Sequence, residues 1–189
     1  VLATDPRPFT AGLAKADSGF VAEQEGYFAS LTQLPLGTFA YAVDRGSLLR
    51  QGEDYWVTVD VLVQLDGFDA VPVTTRDRYR FSPSRRDPDR YLLSSVSDPA
   101  WEEEHDVRPQ PWDLGPVEVR RAPGVLGIFD AGSVGAADRL LASAARGVTQ
   151  VSGVVPYPWS GSVVLYALSD PAFLATVDDL PGGDPESLD

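Results

Sequence analysis

The 189 residues suffice for one large domain or two small ones, and a hydrophobic content of 43% can build a core. A formal net charge of −13 opposes nucleic acid and anionic lipid as partners, because both repel an acidic surface. Cysteine is absent, which excludes disulfides, thiolate metal sites and a cysteine nucleophile and leaves the compartment open.

Methionine is also absent, even at position 1, which predicts a chain that begins downstream of its natural start. No segment approaches the roughly 18 apolar residues of a membrane helix. Asp5 and Pro6 signal a first helix start. A second helix is predicted from Asp17 to Leu31, with Phe20, Gln24, Tyr27, Phe28 and Leu31 on one face. Pro35 and Gly37 stop it. Phe39, Tyr41 and Val43 then alternate as a strand. The clearest strand covers 56–65, where Val57, Val59, Val61, Val63 and Leu65 share a face. Asp66-Gly67 reads as a turn. A strand over 74–81 sets Thr75, Asp77, Tyr79 and Phe81 on one side and Arg76, Arg78 and Arg80 on the other. A loop over 82–90 and a strand over 91–96 complete an α+β pattern of two helices and an antiparallel meander.

Residues 98–116, with several prolines, a run of glutamates and Trp101 and Trp112, read as a linker that follows a first domain at 1–97. A second module over 117–180 has the order ββαβα. Its hairpin turns at Ala122-Pro123-Gly124. Its helix covers 133–151 with Leu140, Leu141, Ala144, Val148 and Val151 on the apolar side. A strand over 162–168 should lie parallel to the strand before the helix. A short helix over 172–179 and a disordered tail over 181–189 are expected to close the chain.

The segments 55–82 (YWVTVDVLVQLDGFDAVPVTTRDRYRFS), 91–98 (YLLSSVSD) and 110–119 (QPWDLGPVEV) resemble NTF2-like, cystatin-like cone domains of actinobacterial secreted or lipid-anchored proteins. The segments 125–155 and 162–177 are similar to the N-terminal part of a peptidase-MA-like zinc metallopeptidase (zincin). The resemblance implies a helix-on-curved-sheet cone, an extracytoplasmic location and a homodimer formed through exposed sheet faces. Such peptidases hold zinc with His-Glu-x-x-His on a helix. This chain has one histidine, His105, so no such site can be assembled from its residues.

Three sets of residues are candidates for chemistry. Tyr41, Trp56, Asp77 and Tyr79 could line a cone pocket, with Asp77 as a buried base; the plainer account is core aromatics and a rim aspartate. Arg76, Arg78 and Arg80 could contact an anion; the plainer account is pairing with Asp60 or other acids. His105 with Glu102 could meet a metal across one helical turn, against a solvated acidic segment as the plainer account, which is preferred, so no metal site is assigned. No cofactor motif is found: Gly132 and Gly135 lack the lysine of a phosphate loop, and Ser160-Gly161-Ser162 is not a nucleophile elbow. The reading that results is a non-catalytic binding or scaffolding unit of an extracytoplasmic protein, for a small ligand or a protein. Two alternatives stand beside it: the leading portion of a zinc peptidase whose His-Glu-x-x-His follows residue 189, and a cone enzyme using Asp77 as base.

Overall fold

The Asp17 carboxylate opens the first long helix by accepting hydrogen bonds from the N–H groups of Gly19 and Phe20. The computed structural model describes residues 5–169. The chain divides into two units, Val1–Arg108 and Pro109–Asp189, and the structure is α+β, with an antiparallel sheet in the first unit and a smaller mixed sheet in the second.

In the first unit a short helix α1 (Arg7–Thr10) precedes α2 (Ser18–Leu31). Phe20, Gln24, Phe28 and Leu31 of α2 are buried as the spacing predicts, and Phe9 of α1 meets the Phe28 ring at 5.3 Å. Four strands follow: β1 (Leu36–Gln51), β2 (Asp54–Leu65), β3 (Val73–Pro83) and β4 (Tyr91–Ser95). They pair antiparallel in chain order. The β2 row of Val57, Val59, Val61, Val63 and Leu65 is buried. That row and the apolar row of α2 are the main surfaces this unit removes from water, each such side chain contributing about 1.5–3 kcal/mol.

The two edges of this sheet differ. Beside β4, Leu13 forms a parallel bridge to Leu93, with Leu93 N–H donating to Gly12 and Ala14 N–H donating to Leu93. β1 has no neighbour on its outer side among the described residues. Its ladder to β2 is broken between Asp44 and Leu49. There the Ser47 hydroxyl accepts the Thr58 N–H at 2.7 Å and so replaces a backbone acceptor.

The expected linker is folded at both ends. α3 (Pro99–Glu104) lies in the first unit and α4 (Pro111–Leu114) in the second. The second unit continues with β5 (Glu118–Ala122), β6 (Val125–Phe129), a 3-10 turn at Val134–Ala136, α5 (Ala137–Val154) and β7 (Val163–Ala167). β5 and β6 are antiparallel; β6 and β7 are parallel, as the intervening helix predicts. All of β6 is buried, and Val125 and Phe129 pack with Ala137 and Leu141 of α5. Gly127 lies between them because a Cβ there would sit 2.5 Å from the Phe129 ring and 2.8 Å from Leu141. Gly124 supplies the positive φ of +72° that the hairpin turn needs.

One helix expectation is corrected. Leu140, Leu141, Ala144 and Val148 flank or form the core, but Val151 is 42% exposed. An 18-residue helix is ~27 Å long, whereas five-residue strands span ~17 Å. Val148 already reaches the hairpin turn, 3.0 Å from where a Gly124 Cβ would lie, so the next turn of α5 runs past the sheet. The helix expected over 172–179 and the tail over 181–189 lie outside the described residues.

Candidate functional site

Alternation along β3 separates Thr75, Asp77, Tyr79 and Phe81 from the three arginines. The register lays the first set on the valine face of β2, with Thr75 opposite Val61, Asp77 opposite Val59 and Tyr79 opposite Val57. β1 adds Tyr41 opposite Val61 and Val43 opposite Val59. Tyr41 and Tyr79 thus stand one row to either side of the row Val43–Val59–Asp77. Their rings still meet edge-on, 6.3 Å between centroids, so both lean over that row. Phe39 extends the cluster with a T-shaped contact to Tyr41 at 5.1 Å.

Asp77 is half-buried on this face and has no hydrogen-bond or ion-pair partner among the described residues. Burial pushes its carboxyl up to about 6, and the negative charges of Glu102 and Asp60 add to the shift. Tyr41 is 43% exposed, so the face opens to solvent on the β1 side. A carboxylate flanked by aromatic rings on an apolar floor is suited to holding a positively charged group.

Trp56 does not belong to this surface, which corrects the four-residue pocket. It pairs in the ladder with Leu49 and Arg80 and lies on the arginine face. The Arg78 and Arg80 guanidinium carbons stand 5.4 and 5.5 Å from its ring centroid. Even-numbered and odd-numbered residues of one strand cannot share a face without a bulge between them, and β2 pairs with β3 in unbroken register from Tyr55 to Val63.

The arginine stripe is largely consumed by acids. Arg76 donates to Asp60 through Nε at 2.6 Å and Nη2 at 3.1 Å. That hydrogen bond holds the Asp60 carboxyl below its ordinary range. Arg78 pairs with Asp98 at 3.0 Å. Arg80 donates to the Ser94 hydroxyl at 3.2 Å and has no acidic partner among the described residues. An anion would therefore find one guanidinium without an acidic partner among the described residues, not three.

Glu102 and His105 are occupied as well. Glu102 Oε1 accepts the Asp98 N–H at 2.8 Å, while Asp98 caps α3. The His105 ring stacks on Trp101 at 4.1 Å, with Nδ1 2.8 Å from the Trp101 carbonyl oxygen. Among the described residues no group of three His, Cys, Asp or Glu is placed to hold a metal ion.

The second unit holds a feature the sequence reading missed. Asp130, at the carboxyl end of β6, accepts from Ser133 N–H at 2.8 Å, Ser169 N–H at 2.6 Å and the Ser169 hydroxyl at 2.7 Å. The Asp130 N–H donates in return to the Ser133 hydroxyl at 3.1 Å. Desolvation raises the Asp130 pKa, but the bonds from Ser169 and Ser133 outweigh it and hold the carboxyl well below the usual range. An Asp followed three residues later by Ser, ahead of an apolar helix, was the available signal. Asp130 borders a cavity of about 480 Å³ whose other walls include Pro111, Leu114, Pro116, Val117 and Leu168. Its carboxylate is committed to Ser133 and Ser169, so the cavity offers mainly apolar volume.

Among the described residues, no helix is long and apolar enough to cross a membrane. No family model, no curated protein and no solved structure matches the chain.

Proposed function

We propose that the chain is a non-catalytic binding unit of an extracytoplasmic protein, that its first unit is an NTF2-like cone, and that its ligand is a small organic cation held at Asp77. One observation carries this reading: a half-buried carboxylate with no hydrogen-bond or ion-pair partner among the described residues shares a sheet face with two tyrosine rings that meet across the strand between them. Burial disfavours the charged form, and a bound ammonium would offset that cost while its alkyl groups cover the exposed side of the Tyr41 ring. The net charge of −13 raises the local concentration of cations and so acts in the same direction.

Tetramethylammonium is the probe, titrated at constant ionic strength while the ring resonances of Tyr41 and Tyr79 are followed by NMR. The expected result is saturable shifts with a Kd near the millimolar range, about 4 kcal/mol, abolished by Asp77→Asn. Non-saturable shifts that persist unchanged in the Asn variant refute the reading.

A second reading, a cone enzyme using Asp77 as base, draws support from the same raised carboxyl, since a base near pH 6 is matched to neutral operation. No histidine accompanies it: His105 is stacked on Trp101 in α3. An activity whose rate rises through pH 6 and vanishes in Asp77→Asn would favour this reading over the first.

A further inference from the structure

The end of α5 that overshoots its sheet leads into an unusual surface. Residues 147–169 contain no Asp, Glu, Lys, Arg or His, the longest uncharged run in a chain that is 23% charged. Within it Val154 is 79% and Tyr157 75% exposed, and Val151, Val155 and Trp159 are exposed beside them. Tyr157 and Trp159 alternate with Pro156 and Pro158, which stiffen the segment and limit the entropy lost on docking. Scattered apolar side chains are ordinary on a protein surface; five in nine residues with no charge between them are not.

Among the described residues of the second unit, the acidic side chains all lie away from this knob. Asp113, Glu118, Asp130 and Asp138 lie in α4, at the start of β5, at the end of β6 and at the start of α5. The overshooting end lies at the opposite pole, beside the Pro123-Gly124 turn. There Arg121, one residue before the turn strand ends, and Arg146, five residues before Val151, are exposed and have no acidic partner among the described residues. The knob is convex, formed by a helix end and a loop that project past the sheet. A rigid protein partner would need a matching groove, whereas a lipid surface yields to such a shape. A second copy would bring another −13 charges against this one.

We propose that this overhang is an interfacial lipid-docking site: Val154, Tyr157 and Trp159 enter the headgroup boundary of a zwitterionic phospholipid bilayer, and Arg121 and Arg146 meet its phosphates. Tryptophan and tyrosine favour that depth because each ring has an apolar body and a polar tip. Zwitterionic lipid is specified because the overall negative charge repels an anionic leaflet. The segment lies on the surface and does not span it.

The test uses the full chain and phosphatidylcholine vesicles, with partitioning read by sedimentation and by tryptophan emission. The wild type should sediment with vesicles and show a blue-shifted emission component that Trp159→Phe removes. Val154→Ser combined with Tyr157→Ser should lower partitioning at least tenfold while Tm stays within a degree or two, since these two residues are 79% and 75% exposed. Arg121→Glu with Arg146→Glu should lower it severalfold. Absence of wild-type partitioning, or partitioning unchanged in the serine double variant, overturns the proposal. So does a concentration-dependent dimer that the same double variant dissociates, because the knob would then belong to a second copy.

Discussion

Replacing Asp77 by asparagine should stabilise the protein at neutral pH and leave it unchanged in acid. The carboxyl moves from 3.8 in the unfolded chain to about 6 in the fold. At pH values below 3.8 both states carry the proton, and aspartic acid and asparagine are close equivalents. Between 3.8 and about 6 the folded chain retains a proton that the unfolded chain has released, so wild-type stability falls as pH rises. Above 6 the full penalty applies. Each unit is worth about 1.4 kcal/mol, which sets a ceiling of about 3 kcal/mol, and residual solvent contact reduces it to about 1–2 kcal/mol. Urea unfolding followed by tryptophan fluorescence from pH 3.5 to 8 measures it. The Asn variant should gain nothing at pH 3.5 and plateau above pH 7, with the m-value unchanged. The amide has its own desolvation cost, but that cost is constant across the range, and other acids cancel in the difference between the two chains. A stability gain that is flat with pH, or that grows toward acid, would refute the reasoning.

Three further outcomes follow from the packing and the polar contacts. Gly127→Val should cost about 1–3 kcal/mol, read as a lower urea midpoint, because its side chain must displace the Phe129 ring and Leu141. Asp130→Ala should cost about 1–3 kcal/mol by leaving the Ser133 and Ser169 donors without their carboxylate, and amide exchange at Ser133 and Ser169 should rise. Arg78→Ala should cost about 1–2 kcal/mol through loss of the Asp98 pair and the Trp56 contact, with only part of the effect removed by 1 M salt.

Much of the first unit was legible because its signals are local. The valine alternation of β2 and the Asp17 cap each follow from a few neighbouring residues and the period of one element. The face of Asp77 followed from parity alone, and the ladder places it there. The same parity separates Trp56 from Tyr41, Asp77 and Tyr79; aromatic character had grouped them, and only the cross-strand register shows which rings meet. Partners depend on distant segments: the Asp60–Arg76 pair was expected from strand neighbourhood, but the Asp98–Arg78 pair needs the chain to return after β4. Val151 was misplaced because helical periodicity says which side of α5 is apolar, not where the sheet beneath it stops. Ser133 reads as a helix start, but its exchange with Asp130 does not, since that partner lies across Ala131-Gly132, which reads as a loop.

The unequal edges of the four-stranded sheet give its growth a direction. Residues 12–14 already occupy the position beside β4, so a strand added from outside, whether from a physiological guest or a misfolded neighbour, has β1 as its template. The irregularity between Asp44 and Leu49 divides that template into a longer stretch, Leu36–Asp44, and a short one, Leu49–Gln51, with Asp44 and Arg45 at the break. An added strand would pair along Leu36–Asp44 and meet charge and a broken ladder beyond it, which limits how far stacking extends along the longest of the described strands.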